Sequence, residues 1–251
     1  MSIDSRSPLR KDTVSMVLVG MIGSGKSSTG NNILGVERFR SRRSLVSITQ
    51  ETDWGTNIGE NNLIVIDTPP ILLRDGSTNR GKGGPTPKSV ALEISKCTEI
   101  ANMEGGGLDA IILTFNINDR LTPEHQKCLR DLELIFGPDI HRYLIVLFTR
   151  EDQLSDDGVS LTDFLLDTPE FLRNLLYKCG NRVLAFDNKT KDKNTRQTQI
   201  SSLMSMIHVM KKKNNNKPYD TDIRKNVVAM YSSRNELSPG CFACCQQCVI
   251  I

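Results

Sequence analysis

One glycine-rich segment constrains this chain more than any other feature, because it lies between an apolar run and a helix-forming run. Residues 20–27 read Gly-Met-Ile-Gly-Ser-Gly-Lys-Ser and match the pattern G-x-x-x-x-G-K-[ST]. In this pattern the backbone N–H groups converge on phosphates, the lysine adds a positive charge, and the serine hydroxyl can bind Mg²⁺. An ordinary glycine-rich turn is the alternative. The complete match predicts a phosphate-binding loop formed by Gly20, Met21, Ile22, Gly23, Ser24, Gly25, Lys26, Ser27 and Ser28.

Strand-forming and helix-forming runs alternate along the rest of the chain. Strands are predicted at 14–19, 63–66, 110–115, 143–148 and 182–186, and helices at 27–34, 88–102, 123–136, 168–178 and 195–212. Several strands are apolar throughout, as expected where both faces of a parallel sheet are covered. The intervals 35–62 and 69–87 are predicted to be irregular. This order indicates an α/β fold, with a mostly parallel central sheet and helices on both faces.

The composition is that of a globular protein. The chain has 251 residues, of which 38% are hydrophobic, and no apolar run is long enough to cross a bilayer. The first residues contain no apolar signal core, so we expect a cytoplasmic protein. We expect a polar N-terminal arm over residues 1–13, one domain over 14–212, and a basic, cysteine-rich tail over 213–251.

Basic residues and cysteines are concentrated toward the C-terminus. The formal net charge is +3, but residues 211–251 carry +4 and residues 1–210 carry −1. A near-neutral body argues against a nucleic-acid-binding face, so no nucleic-acid partner is predicted. Four of the seven cysteines lie between residues 241 and 248. The odd number of cysteines and the lack of a secretion signal argue against a disulfide framework.

A carboxylate closes the apolar run at residues 63–66. Asp67 follows that run directly, and a phosphate loop needs a metal-binding carboxylate at the end of a neighbouring strand. An aspartate at a strand end is also a common turn former. Together with the upstream loop, however, its position favours a Mg²⁺ site made by Asp67 and Ser27.

The strand predicted at 143–148 leads into a segment that resembles a guanine-reading pattern. Residues 149–152 read Thr-Arg-Glu-Asp, similar to [NT]-K-x-D with arginine in place of lysine. The Asp152 carboxylate can accept both N–H groups on the guanine edge, whereas adenine presents an acceptor there and is repelled. A surface charge cluster is the alternative. Thr149, Arg150 and Asp152 are therefore candidate nucleotide-binding residues, and Asn188, after the strand at 182–186, is a further candidate base contact.

Longer segments resemble one known family. Residues 23–35, which read Gly-Ser-Gly-Lys-Ser-Ser-Thr-Gly-Asn-Asn-Ile-Leu-Gly, are similar to the extended phosphate loop of the GIMAP or immunity-associated nucleotide-binding (AIG-type) GTPases. Residues 120–125, 132–137 and 142–150 resemble that family's own conserved box and base-reading strand, and residues 185–188 resemble its last guanine loop. The resemblance covers about residues 14–212. It implies a P-loop GTPase fold, or G domain, with a short C-terminal tail.

The resemblance also implies GTP and GDP binding with Mg²⁺, two switch segments, and self-association through the GTP-bound face. In the first switch, Thr49 matches the threonine whose hydroxyl reaches Mg²⁺ when a γ-phosphate is present, and Thr52 is the fallback. In the second switch, Pro70 stands where the family has glycine, and proline has no N–H to offer a phosphate. Arg150 in place of lysine is expected to preserve stacking on the base.

Slow GTP hydrolysis is expected, because no residue after Asp67 resembles a water-orienting glutamine. Arg120 begins the family's conserved box and is the candidate catalytic residue, supplied in trans by a second copy; a solvated arginine before a helix is the alternative. The expected function is a GTP/GDP switch that dimerises or oligomerises when GTP-bound and forms a membrane-surface scaffold. The alternatives are a constitutive GTP-binding interaction module, which Pro70 favours, and an ATP-using P-loop enzyme. The sequence names no protein partner.

The last residues fit a lipid-attachment signal. Cys248 and the three residues after it match C-a-a-X, which directs prenylation. One lipid chain binds a membrane only marginally, so a second signal is needed. Palmitoylation of Cys241, Cys244 and Cys245, or contact between the basic residues and anionic headgroups, can supply it. A thiolate metal site and an inert polar tail are the alternatives, and lipidation predicts a cytoplasmic protein held at a membrane.

Overall fold

The computed structural model describes residues 13–41, 49, 51–57, 62–71 and 86–235. Its strands are β1 (Val14–Gly20), β2 (Asp53–Asn57), β3 (Leu63–Asp67), β4 (Ala110–Asn116), β5 (Leu144–Thr149) and β6 (Val183–Phe186). They form one sheet in the order β2-β3-β1-β4-β5-β6, in which β2 is antiparallel to β3 and the other neighbouring pairs are parallel. The predicted α/β fold with a mostly parallel central sheet is confirmed.

Helices cover both faces of this sheet. Those of the described residues are α1 (Lys26–Leu34), α2 (Pro87–Gly105), α3 (Pro123–Phe136), α4 (Ile140–Tyr143), α5 (Glu151–Asp156), α6 (Leu161–Leu166), α7 (Glu170–Lys178), α8 (Lys193–Lys213) and α9 (Ile223–Asn235). The core on one face contains residues of α2, α3, α7 and α9, and the core on the other contains residues of α1 and α8. The short helices α4, α5 and α6 and the longer α9 were not among the predicted ones.

The strand β1 shows why the sheet needs cover on both faces. All seven of its residues are buried. Val17 and Val19 belong to one core, and Met16 and Leu18 belong to the other. Because successive side chains on a strand point to opposite faces, an uninterrupted apolar run requires helices above and below it.

The strand β2 lies inside the interval 35–62, which was predicted to be irregular, so that part of the prediction is wrong. Its sequence is Asp-Trp-Gly-Thr-Asn, and Gly55 is its one buried residue. An edge strand with so little burial carries no alternation of apolar and polar residues that a sequence pattern would reveal. Pairing with β3, rather than intrinsic propensity, makes it a strand.

The chain also continues to pack beyond residue 212, where the sequence analysis placed the end of the domain. Residue 212 lies inside α8, and α9 packs against α2 and α3. Ile223 and Val227 are fully buried in this contact. Tyr219, which precedes α9, is buried too, and its backbone N–H donates to the carbonyl oxygen of Leu108 at 2.8 Å. The first part of the predicted tail is therefore folded onto the sheet's helices.

One lysine of the basic stretch 211–251 has a buried partner. Lys211 Nζ lies 2.8 Å from the carboxylate of Asp109, whose other oxygen accepts the backbone N–H of Ser15 at 3.1 Å. This pair fastens the end of α8 to the start of β1, so the Lys211 charge is used inside the domain.

Three of the seven cysteines lie among the described residues. Cys97, Cys128 and Cys179 are buried free thiols, so none of these three is a disulfide cysteine. Cys241, Cys244, Cys245 and Cys248 lie outside the described residues.

Candidate functional site

The glycine-rich loop joins the carboxyl end of β1 to the first turn of α1. Gly25 precedes that turn with a φ of 92°, a conformation that glycine adopts without strain. A Cβ atom on Gly25 would lie 2.9 Å from Thr149 Cγ2, so a larger residue would push β5 away from the loop. The loop's backbone N–H groups and the N-terminus of α1 are thereby directed to one place, which is the arrangement that binds phosphate.

Lys26 lies beneath this loop at the start of α1. Its Nζ donates to the carbonyl oxygens of Gly20 at 3.1 Å and Met21 at 3.0 Å. Burial lowers the pKa of Lys26 to about 8, and the nearby Asp67 carboxylate opposes that shift. A buried ammonium group with mainly backbone partners is an anion-binding centre, because a phosphate would supply the missing negative charge.

Three oxygen-bearing side chains predicted to bind the metal converge beside the loop. Ser27 Oγ donates to Asp67 Oδ2 at 2.6 Å, and Thr49 Oγ1 lies 3.4 Å from both of those atoms. Burial raises the pKa of Asp67. Its second oxygen, Oδ1, is buried and has no hydrogen-bond partner among the described residues. A buried carboxylate oxygen without a partner, beside two hydroxyls, fits a hard cation such as Mg²⁺.

Thr149 holds the phosphate loop in place from β5. Its Oγ1 donates to the carbonyl oxygen of Ser24 at 3.0 Å, and it lies 3.3 Å from the carbonyl oxygen of Phe115. Ser24 Oγ is in turn 2.7 Å from Thr114 Oγ1, at the end of β4. Thr149 is buried. Its hydrogen bond to Ser24 supports the loop.

Asp152 presents a carboxylate at the end of the sheet where the phosphate loop lies. It lies in the first turn of α5, two residues after Arg150, whose φ is 68°. Asp152 Oδ2 accepts from Gln153 Nε2 at 3.2 Å and lies 3.7 Å from Lys189 Nζ. Its Oδ1 is buried without a hydrogen-bond partner in the part of the chain that the structure describes. Its acceptor capacity is not used by any described residue, as binding of the N–H groups of a guanine edge would require.

The Asn188 side chain is directed toward α1. Its Nδ2 donates to Thr29 Oγ1 at 2.8 Å, and its Oδ1 accepts from Asn32 Nδ2 at 3.2 Å. The structure thus gives the amide two protein partners, and its direct contact with a base stays a prediction.

Some of the remaining predicted residues lie at the phosphate loop, and the others lie elsewhere. In the phosphate loop, Ile22 is partly exposed, Gly23 has a φ of 78°, and Ser28 lies in the first turn of α1. Arg120 is exposed in the loop between β4 and α3. Thr52, the fallback for Thr49, instead donates through Oγ1 to the carbonyl oxygen of Glu93 on α2 at 2.6 Å.

The segment after Asp67 is bonded to the phosphate loop. The backbone N–H of Ile71 donates to the carbonyl oxygen of Gly20 at 3.0 Å, and Thr68 Oγ1 donates to the carbonyl oxygen of Leu18 at 2.7 Å. Ile71 is buried, and Pro70 between them has no N–H.

Asn31 was given no role in the sequence analysis, although it lies in the segment that carries the family resemblance. Its Oδ1 accepts the backbone N–H groups of Arg38 at 2.9 Å and Phe39 at 2.8 Å, and its Nδ2 donates to the carbonyl oxygen of Phe39 at 2.8 Å. One asparagine therefore holds the backbone of Arg38 and Phe39 against α1. Thr114 was also missed, and its position at a strand end beside the loop is the signal that could have found it.

No described helix is long and apolar enough to span a bilayer.

The AIG1 family model matches residues 14–236. Two relatives from Arabidopsis thaliana are immune-associated nucleotide-binding protein 8, 37% identical over 224 residues, and protein 9, 38% identical over 211 residues. These alignments cover 88% and 83% of this chain but 60% and 58% of the relatives, so the chain spans about three fifths of their length.

Solved structures support the fold at low identity. Toc33 from Arabidopsis thaliana, as a dimerization-deficient mutant, aligns with a TM-score of 0.58 and 16% identity, covering 80% of this chain and 84% of that one. A variant of Era from Aquifex aeolicus bound to GDP·AlF4⁻ aligns with a TM-score of 0.53 and 16% identity, covering 78% and 56%. These likenesses confirm the α/β G-domain fold. With its phosphate loop and the family model over most of its length, the chain belongs to the AIG1 family.

Proposed function

We propose that this protein binds GTP and GDP with Mg²⁺ and works as a switch with slow GTPase activity. The observation that carries the proposal is the pair of buried carboxylate oxygens without partners, Asp67 Oδ1 beside the phosphate loop and Asp152 Oδ1 at the other end of the site. One is suited to a cation and the other to the N–H groups of guanine. Relatives named as nucleotide-binding proteins, and a Toc33 structure containing GDP and Mg²⁺ with a TM-score of 0.51, support it.

In the proposed complex the chain supplies four kinds of contact. The loop amides and Lys26 bind the phosphates, and burial makes each of these contacts stronger than it would be in water. Ser27 and Asp67 hold Mg²⁺, which would offset negative charge on the phosphates. Thr49 adds a hydroxyl on the side of the first switch. Asp152 selects the base.

The base-selection step has a specific test. Replacing Asp152 by Asn turns one acceptor into a donor, so the affinity for GDP should fall by at least about 100-fold, while xanthosine diphosphate should bind better. Titration of both nucleotides measures this. Asp156→Asn, an exposed position on the same helix, is the matched control and should leave both affinities unchanged. Equal losses for the two nucleotides in Asp152→Asn would refute base reading by this carboxylate.

Slow hydrolysis assisted by a second copy is the next part of the proposal. Arg120 is exposed at the same edge of the sheet as the phosphate loop, where a second molecule can meet it. Two solved structures of Toc33 support the idea: one is of an arginine-to-alanine variant described as deficient in dimerization, and the other is described as showing that dimerization is important for the GTPase activity of Toc33 and Toc159.

Turnover per molecule is the measurement for this step. It should rise with protein concentration in the unmodified protein and become slow and concentration-independent in Arg120→Ala. Arg173→Ala, which alters an exposed arginine on α7, should behave like the unmodified protein. Turnover that stays constant over a wide range of concentration would contradict assistance in trans.

A constitutive GTP-binding module is the second candidate, and the hydrogen bond from Ile71 to Gly20 favours it. Pro70 has no N–H and the Ile71 N–H is already engaged, so neither residue can report a γ-phosphate through its amide. In this case GDP and a non-hydrolysable GTP analogue bind about equally, and Pro70→Gly raises the preference for the analogue.

The nucleotide carried by freshly purified protein separates the candidates. GDP supports a GTPase, retained GTP supports the constitutive module, and an adenine nucleotide contradicts both. Chromatography of the nucleotide released by denaturation gives the answer.

We also propose that the protein acts at a membrane surface. The support is in the sequence: the C-a-a-X pattern at Cys248, the neighbouring Cys241, Cys244 and Cys245, and the net charge of +4 over residues 211–251. Lys212, Lys213 and Lys217 are exposed, and each such charge near an anionic surface contributes about 1 kcal/mol. Mass spectrometry should find a prenyl group on Cys248. Cys248→Ser should move the protein from the membrane fraction to the soluble fraction, and an unchanged distribution would refute the anchor.

A further inference from the structure

We infer that Asn188 is a positioning residue for the loop after β6, residues 187–189, which we call the guanine-binding loop. It acts through Thr29 and Asn32 on α1. The inference deepens the proposed function and rests on guanine binding at Asp152. It gives the side chains of Thr29 and Asn32, which follow the phosphate loop, the role of holding Asn188 in place.

The contacts that carry the inference form a polar chain between two parts of the fold. Asn188 Nδ2 donates to Thr29 Oγ1 at 2.8 Å, and Asn32 Nδ2 donates to Asn188 Oδ1 at 3.2 Å. Asn32 Nδ2 also lies 3.2 Å from Gln199 Oε1 on α8, and Arg196 Nε donates to the Asn32 carbonyl oxygen at 2.8 Å. Both polar groups of the Asn188 amide therefore have a partner on α1, and α8 holds one of those partners in place.

The burial of Thr29 shows how its hydroxyl can affect nucleotide binding. Thr29 is fully buried, so its hydroxyl is shielded from any ligand in solution. Its contribution to binding must pass through Asn188. Because Thr29 lies less than one helical turn after Lys26 and Ser27, the contact fixes the guanine-binding loop relative to the phosphate ligands.

The other end of the same loop lies beside Asp152. The Asp187 carboxylate accepts the backbone N–H of Lys189 at 2.8 Å, which closes a tight turn, and Lys189 Nζ lies 3.7 Å from Asp152 Oδ2. A loop released from α1 would change the surroundings of Asp152. The expected loss is therefore at the base end of the site, and the phosphate end should be unaffected.

A double-mutant cycle tests the inference. Asn188→Ala, Thr29→Val and the double variant are titrated with GDP, and inorganic pyrophosphate is titrated in parallel by competition. Thr29→Val keeps the side-chain shape and removes the hydroxyl. Each single variant should weaken GDP binding about tenfold, and the double variant should be no weaker than Asn188→Ala alone. Pyrophosphate affinity should stay unchanged, so the ratio of GDP affinity to pyrophosphate affinity should fall. General destabilisation would weaken both affinities together and would not alter that ratio.

Two further variants complete the design. Asn32→Ala removes the other partner of the amide and should reproduce the loss, which covers the case in which Thr29→Val folds poorly. Asn194→Ala, an exposed asparagine at the start of α8, is the control and should bind GDP normally.

The outcomes distinguish failure of the proposed function from failure of the inference about Asn188. If the unmodified protein does not bind GDP, both the proposed function and this inference fail. If it binds GDP and Asn188→Ala weakens binding while Thr29→Val and Asn32→Ala do not, Asn188 contacts the base directly and the inference is overturned. Losses that multiply in the double variant, or an unchanged GDP affinity in Asn188→Ala, overturn it as well.

Discussion

At the scale of single residues, the site is marked by polar atoms that lack protein partners. Asp67 and Asp152 each leave one buried oxygen without a hydrogen bond among the described residues. An unpaired buried acceptor costs free energy, and beside the phosphate loop and the segment after β5 a bound ligand would supply the missing partner. Both residues were chosen from sequence motifs, but their free oxygens are visible only in three dimensions.

One buried histidine, His125, and one partly buried histidine, His141, give a prediction about pH. Burial lowers the pKa of His141, although its Nε2 lies 2.8 Å from Glu133 Oε1. Its Nδ1 is buried and unpaired in the described structure, so a proton there would have no acceptor. Burial also lowers the pKa of His125, against the effect of Asp119.

Both histidines should therefore titrate below the ordinary value of 6.5 in a proton NMR titration of the ring hydrogens. The unfolded chain then binds more protons than the native one, so each histidine lowers the free energy of unfolding as the pH falls through about 6.5. A midpoint at or above the ordinary value for either ring would contradict the prediction.

At the scale of elements, α1 organises the nucleotide side of the molecule. Its first turn carries Lys26 and Ser27, Asn31 binds the backbone at Phe39, and Asn32 contacts the loop at Asn188. One helix thereby connects the phosphate loop, the backbone at Phe39 and the loop that carries Asn188.

The packing of Gly30 within α1 leads to a stability prediction. A Cβ atom at Gly30 would lie 2.6 Å from Phe39 Cε2, and Phe39 is buried. Alanine would favour the helix by about 1 kcal/mol, but displacement of the ring should cost about 1–3 kcal/mol. Gly30→Ala should therefore have a lower denaturation midpoint in urea. Ser202→Ala, at an exposed position of α8, should stay near the unmodified value, and a higher midpoint for Gly30→Ala would show that the ring moves freely.

At the scale of the whole molecule, α9 completes one core by covering α2 and α3. Val227 is fully buried in that contact, whereas its neighbour Val228 is 50% exposed. The family model ends at residue 236, just after this helix. The basic composition of the region concealed the few apolar residues that fold it back.

The two valines form a matched pair for testing that contact. Val227→Ser should lower the free energy of unfolding by about 2–4 kcal/mol, because it removes buried apolar surface and buries a hydroxyl. Val228→Ser should change it by less than about 0.5 kcal/mol. Urea denaturation followed by circular dichroism measures both. Equal effects would show that α9 is not packed in solution as the structure has it.

Most of the sheet could be predicted from local pattern. The apolar runs that became β1, β3, β4 and β5 lie close to their predicted bounds, because a strand buried on both faces must be apolar along its length. The strand β6 also lies close to its predicted bounds, although it is an edge strand and only partly buried. The strand β2 and the helix α9 could not be predicted. Each depends on a partner far away in the chain, and neither has a strong pattern of its own.

The sequence by itself determined the phosphate loop, the family and the chemical types of the site residues, because spacing and residue identity carry that information locally. Only the tertiary structure decided how those residues are used. It joined Asp67 to Ser27 and Thr49, bonded Ile71 to Gly20, and turned Asn188 toward α1. The reason is physical: the direction of a polar side chain is set by the nearest partners that burial leaves to it, and those partners are distant in the chain.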